Sequence, residues 1–355
     1  MEGGYLYKDV LPFTLMVALE CANVGVNTVF KAATSQGMSY YVFVVYSYSI
    51  AAFILFPSNF FQRRRMLPPL CSRIIAKLFL LSLIGAICVL CGYKGIEYGS
   101  PTLASAMSNL IPAFTFILAI LFRMEKLIWR SSSSQVKIIG TMVSIAGALV
   151  IILYKGPSLM MFTPKLSATY RNLLSSSNSK WIIGGLLLGG DYILTPVWYI
   201  VQAQIIKEYP AELVVVFYYN FFAAIITGAI SSVTVPDRSA WALKPDISLA
   251  AILYSGFLDS FLSNTIHAYI LRRKGPFYIA MFKPLSIAIA AGMGVIFLGD
   301  TLYLGSIIGS VVITLGFYAV MWGKAREDSY NESRSEDLES STQKDPLLQS
   351  SKPGS

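Results

Sequence analysis

The 355-residue chain is 55% hydrophobic and only 13% charged, with a mean hydropathy of +0.60. That balance excludes a soluble globular domain with a water-facing surface, and the bilayer is read as its solvent. The net charge of +9 does not point to nucleic acid, because the basic residues cluster at the ends of apolar runs rather than along one soluble face.

The first apolar run, 10–33, is long enough to span and has no basic segment before it, so it is read as a membrane helix that serves as its own targeting signal. Glu20, Asn23, Asn27 and Lys31 follow at steps of three, four and four and project from one helical face. An acid in lipid costs several kcal/mol, at about 3 or more, so this face is expected to line protein or a wet cavity. Helix two is predicted at 39–61, with Tyr46 inside it, and Arg63, Arg64, Arg65 and Arg73 follow in the loop. Helix three, 74–95, holds Cys88 and Cys91, and helix four, 99–122, holds Ser105, Ser108, Asn109 and Pro112. Arg123, Lys126 and Arg130 separate it from helix five, 136–154.

A polar linker, 155–180, leads to helix six at 181–203, which carries the stripe Asp191, Thr195, Trp198 and Gln202 and an internal Pro196. Helix seven, 211–234, holds Tyr218; helix eight, 247–268, holds Asp259, Ser263 and His267 and ends before Arg272, Arg273 and Lys274. Helix nine, 276–298, places Lys283 directly before Pro284, and helix ten runs over 302–322. From 323 to 355 the chain becomes rich in Ser, Glu and Asp and is expected to be a disordered tail. The reading is therefore an all-α membrane protein of about ten transmembrane helices, since helices satisfy their own backbone in lipid and no barrel alternation is present.

The Arg/Lys-rich loops after helices two, four and eight are read as cytoplasmic, which puts both termini in the cytosol; Lys155, Lys165, Arg171 and Lys180 in the linker argue the other way. The segment 100–125 returns in altered form at 275–300: Pro101 to Glu125 and Pro276 to Asp300 are each 24 positions apart. Gly140 to Gly147 is matched by Gly309 to Gly316, after a serine-rich insertion at Ser131 to Ser134, and Tyr46 falls opposite Tyr218. Two copies, 8–154 and 181–322, each hold five helices, and an odd count inserts the second copy upside down. Inverted repeats of this kind belong to secondary transporters, whose sites lie near the midplane between the halves.

Candidate substrate-binding residues are Glu20, Asn23, Asn27, Asn109, Asp191, Trp198, Tyr218, Asp259, His267 and Lys283, with Pro112 and Pro284 as candidate gate hinges. A buried ion pair with Lys283 is the competing reading of the acids, and helix-to-helix hydrogen bonding the competing reading of Ser105, Ser108 and Asn23. Lys31 is read as snorkelling to the interface. Glu125 and Asp300, at span ends, are read as structural. The Gly185 to Gly189 and Gly305 to Gly309 spacings mark close helix packing, within the fold or between two subunits of a homodimer. Cys21, Cys71, Cys88 and Cys91 form neither a disulfide framework nor a metal set, and no cofactor is expected. An intramembrane aspartyl protease would place its two acids as Asp191 and Asp259 are placed, but Leu188 and Leu258 break its motifs, so no enzyme is expected.

The runs GYKGIEYGSPTLASAMSNLIPAFTFILAILFRMEKL and RRKGPFYIAMFKPLSIAIAAGMGVIFLGDTLYLGSIIGSVVITLGFYAVMWGKA resemble the plant Walls Are Thin-related proteins, also called Usually Multiple Acids Move In and out Transporters. These are EamA-type members of the drug/metabolite transporter superfamily. The resemblance covers the chain to about residue 326 and implies two inverted five-helix EamA repeats and movement of amino acids, by export or in both directions. In some members the cargo is auxin or a related indolic acid. Asp300 stands where the family often has glutamate, and Cys91 falls near a position where many members carry asparagine and an aromatic. The expected partners are a small-molecule substrate and the lipid bilayer. The rival readings are a proton-coupled auxin or indole carrier and a non-transporting receptor or scaffold. The plasma membrane is expected over the vacuolar membrane, although Asp345, Pro346, Leu347 and Leu348 resemble a dileucine sorting signal.

Overall fold

The computed structural model describes residues 10–57, 71–98, 108, 110–124, 131–154, 158–160, 178–243, 245–286, 288–289 and 302–344. The main helices among them, in chain order, are α1 Leu11–Ser35, α2 Tyr40–Leu55, α3 Ser72–Tyr98, α4 Leu110–Leu121, α5 Ser132–Leu153, α6 Asn178–Glu208, α7 Glu212–Thr234, α8 Ile247–Arg273, α9 Pro276–Ala280 and α10 Leu304–Lys344. Five are long and apolar enough to cross a bilayer: Ser72–Gly95, Ile183–Glu208, Glu212–Thr234, Ile247–Arg273 and Ile307–Glu327. Beyond the helices, Ser158–Met160 in the linker pairs antiparallel with Leu302–Tyr303, tying the linker to the start of α10. Asn109, Glu125 and Asp300 lie outside the described residues.

The helices pack across the two halves more than within them. α5 lies on α10, α2 on α7, α6 on α3, and α1 on α8. The α5/α10 contact shows how. A Cβ added to Gly140 would meet the Gly316 carbonyl at 2.7 Å, and one added to Gly147 would meet the Gly309 carbonyl at 3.0 Å. Gly140 and Gly309 are corresponding residues of the two copies, as are Gly147 and Gly316, so each contact is the other with its partners exchanged. Ser144 Oγ donates to the Ile313 carbonyl at 3.4 Å across the same 169-residue offset. A residue that meets its own counterpart sits on a two-fold axis. Without a hydrophobic effect between helices in lipid, small residues that let backbones approach are what hold such a pair.

A second exchanged contact joins α2 and α7. Phe56 packs on Phe217 with centroids 6.2 Å apart, while Gly228 faces Val45 at 3.9 Å. Val45 and Phe217, like Phe56 and Gly228, are 172 positions apart, the offset that sets Tyr46 opposite Tyr218. The repeat read from the sequence is thus an antiparallel pair of five-helix bundles related by a pseudo-two-fold axis.

Three features depart from the sequence reading. α10 does not end near 322 but continues as helix to Lys344, so most of the expected disordered tail is helical. Residues 324–345 contain neither glycine nor proline, and Lys137 of α5 pairs with Glu327 just past the apolar stretch, which secures the first turn of the extension. α8 carries a π-helical stretch, Gly256–Ser263, with Asp259 inside it. α8 and α9 are joined by Gly275 at φ +84°, a left-handed residue that turns the chain directly into Pro276.

Gly316→Leu is expected to push α5 from α10 and cost about 1–3 kcal/mol, lowering the thermal unfolding midpoint of the detergent-solubilised protein. Gly190→Ala, whose Cβ would meet nothing within 4 Å, is the control expected to unfold like the parent.

Candidate functional site

Burial singles out Glu20 among the acids. Its side chain is 1% exposed and accepts from Lys283 Nζ at 3.1 Å, joining α1 to the segment after α9. Asp259, carried on the π-helical stretch of α8, is within electrostatic reach of both. Asp191, the acid on α6, is partly accessible and faces the other way, against Cys88 and Gly92 of α3. A Cβ at position 92 would stand 2.7 Å from Asp191 Oδ2, so only glycine leaves room for the carboxylate there. Thr195 Oγ1, one turn on, donates to Asp191 Oδ1 at 3.2 Å.

Tyrosines join the two groups. Tyr199 lies within electrostatic reach of Lys283, Glu20 and Asp191, and Tyr93 within reach of Asp259 and Asp191. Trp198 packs on Tyr199 and Tyr219 with centroids 5.5 and 5.4 Å away, and Tyr219 reaches the Tyr48 hydroxyl at 3.4 Å. His267 packs edge-on against Tyr199 at 6.1 Å and faces Lys283. Glu20, Asp191, Trp198, Asp259, His267 and Lys283 therefore share one centre, contributed by both halves.

The other sequence candidates lie elsewhere. Asn23 is half-buried, with an Oδ1 that has no protein partner, and Asn27 is exposed. Tyr218 packs against Phe217 and Phe222; its neighbour Tyr219 is the residue that faces the centre. Tyr46 donates to the Trp241 carbonyl at 2.9 Å, at the end of α2 away from the termini. Pro112 and Pro284 are both buried, the latter directly beside Lys283. Gly309 packs on Gly147 within the chain, so that part of the Gly305 to Gly309 spacing serves the fold.

Exposure changes along the site in one direction. Because successive spans alternate, α1 runs away from the end that carries the termini, while α6 and α8 run towards it. Along α1 the polar face goes from Glu20, sealed, to Asn23, half-buried, to Asn27, exposed. Along α6 it goes from Asp191, accessible, to Trp198 at 8% and Gln202 at 0%, and along α8 from Asp259, accessible, to Ser263 and His267, buried. All three stripes close towards the terminal end. There, Lys77 of α3 pairs with Glu208 of α6 and Lys137 of α5 with Glu327 of α10, both across the halves, and Arg272 binds Glu212 at 3.1 Å within the second half.

The two halves of the chain are matched by the comparisons. The model of the EamA-like transporter family matches residues 12–153 and again 180–322. The chain belongs to the EamA-like transporter family. It is 54% identical to WAT1-related protein At5g40240 of Arabidopsis thaliana over 92% of its own length and 90% of that protein. WAT1-related protein At3g28050 of the same plant is 50% identical over 99% of both chains. A solved crystal structure with 10% identity superposes with a TM-score of 0.61 over 84% of this chain and 97% of the other, a likeness of fold. This EamA-like protein is a multi-pass integral membrane transporter.

Sequence reasoning missed Tyr93, Tyr199 and Tyr219, which sit in apolar runs with nothing to mark them. It also missed the pairing of Asp191 with Cys88, for which a signal existed. Cys88 and Asp259 are 171 positions apart, as are Gly85 and Gly256, and as are Glu20 and Asp191. The repeat thus matches the two acids of the first helices with each other and Cys88 with Asp259.

Glu20→Gln is expected to destabilise the protein by about 1–3 kcal/mol, because it leaves a half-buried lysine without its closest partner. Combining it with Lys283→Met is expected to recover most of that loss. Thermal unfolding of the single and double variants checks it; losses that simply add would show that the pair is not coupled.

Proposed function

We propose that this EamA-like transporter moves amino acids or related small organic acids, by export or in both directions, through alternating access at the Glu20, Asp191, Asp259 and Lys283 centre. The observation that carries this reading is a set of ionisable side chains drawn from both repeats, with Glu20 sealed and Asp191, Asp259 and Lys283 partly exposed. Ionisable groups at membrane depth are costly and mark pathways, and a site between inverted repeats is where rocking halves expose cargo to each side in turn. The tyrosines and Trp198 offer an aromatic wall for an apolar side chain. With both termini in the cytosol and the protein in the plasma membrane, the accessible end faces outward, and the Lys77–Glu208 pair latches the cytosolic end.

Efflux of a labelled amino-acid mixture and of indole-3-acetic acid from oocytes expressing the protein, at two external pH values, tests the reading. Selective, saturable efflux is expected; no flux at verified surface abundance overturns it in favour of a non-transporting receptor. For the latch, Lys77→Glu and Glu208→Lys are each expected to lower flux severalfold and the double reversal to restore most of it. Equal activity in all three variants would remove the pair from the gate.

A further inference from the structure

The two acids matched by the repeat have unequal surroundings. Glu20 has Lys283 against it and Asp259 shares that lysine, so three charges there already compensate one another in part. Lys283 has no charged counterpart in the first half, where the matching position, 175 residues earlier, is Ser108. Around Asp191 the groups are a threonine hydroxyl, a thiol and a glycine, and among the described residues no lysine, arginine or histidine nitrogen lies within 4.0 Å of it. Counted together, the described centre holds three carboxylates and one ammonium.

From this asymmetry we infer that Asp191 is the subsite for the ammonium group of the cargo, and that the centre selects amine-bearing solutes over mono-anionic acids such as indole acetates. The inference rests on the carrier reading above. A mono-anion entering this centre adds a fourth negative charge in a medium that screens poorly, whereas an ammonium finds a partly accessible carboxylate with no internal cation. Thr195 and the Cys88 thiol are the only side-chain hydrogen-bond partners of Asp191 among the described residues, and its Oδ2 rests in the space that a side chain at position 92 would fill. A second feature points to a bound head group. His267, 6% exposed, has an Nε2 with no protein partner and lies within electrostatic reach of Lys283, so the lysine pole holds an unused polar atom for the cargo's carboxylate. Glu20, sealed behind Lys283, is out of reach of a solute, which separates the two acids into a structural one and a binding one.

The test is competition against labelled L-glutamine flux in proteoliposomes of the full chain, with unlabelled L-leucine, its des-amino analogue 4-methylpentanoate, and indole-3-acetate. The unmodified protein is expected to favour leucine over both anions by about tenfold or more, as loss of a charge-assisted contact implies. Asp191→Asn is expected to reduce that ratio to about one, and Asp191→Glu to restore it. The ratio, unlike total flux, does not move when a variant is merely less stable. Equal competition by leucine and 4-methylpentanoate in the unmodified protein, or an unchanged ratio in Asp191→Asn, overturns the assignment while leaving the carrier intact. Absence of any flux of glutamine and of indole-3-acetate overturns both together.

Discussion

Five is an odd number of membrane crossings, and the rest of this protein follows from that. A repeat of five helices must return to the membrane reversed, so its second copy meets the first antiparallel. Residues on the axis then meet their own counterparts, as Ser144 and Ile313 do, and residues off it make the same contact twice, as Gly140 with Gly316 and Gly147 with Gly309. Each close approach needs a small residue once in the ancestral repeat and receives it at two places. The same symmetry places the polar faces of α1 and α6 around one axis, so acids that lie 171 residues apart in the chain approach a shared centre.

Symmetry of backbone does not require symmetry of charge, and the centre has lost it. Lys283 has Ser108 as its counterpart, and Asp259 has Cys88. One half of the centre is therefore an ion-paired knot, sealed by burial of Glu20, and the other is a single carboxyl group packed against Gly92. A symmetric pair of free acids would repel at this depth, and a symmetric pair of neutralised acids would offer a solute no charge. The asymmetric arrangement keeps one charge for the cargo and uses the other to hold α1 against the segment carrying Lys283.

Much of this was legible in the sequence because the bilayer simplifies the code. Span length, Arg/Lys placement and the recurrence of Pro101 to Glu125 in Pro276 to Asp300 were enough for ten helices and an inverted repeat. Hydrophobic cost singled out Glu20, Asp191 and Asp259, with Asn109 at the same depth; Glu20 and Asp259 lie by Lys283, Asp191 lies against Cys88 across Tyr199, and Asn109 is outside the described residues. What was not legible is whatever depends on rotation about a helix axis. Tyr218 and Tyr219 are adjacent, equally aromatic and equally deep, yet only Tyr219 faces Trp198 and Tyr48. The π-helical turn around Asp259 alters rotation further. Its trace in the sequence is a matter of length: Gly85 to Pro101 spans 16 positions, and Gly256 to Pro276 spans 20. The helical extension to Lys344 was hidden for the opposite reason, since low hydropathy alone separates a solvated helix poorly from a solvated coil.

The closed end of the site explains how such a centre alternates. Gln202 is fully buried with neither amide atom paired to protein, and His267 keeps an unpaired Nε2 on the same side of the site. Each buried polar group left without a partner costs about 1–3 kcal/mol, so this packing is a poor one for polar side chains. The exposed Lys77–Glu208 pair across the terminal end contributes little beyond about 1 kcal/mol against that cost. A weak ion pair over a polar and imperfectly satisfied interface holds the halves together only marginally at that end. Opening that end wets Gln202 and His267 and lowers their cost, while the α5/α10 pair, close-packed through glycines and tied by Ser144 to the Ile313 carbonyl and by Lys137 to Glu327, loses those contacts by separating. The balance favours motion in which the halves part at the terminal end and stay joined along α5 and α10, which is the rocking that a two-fold arrangement of unequal interfaces allows.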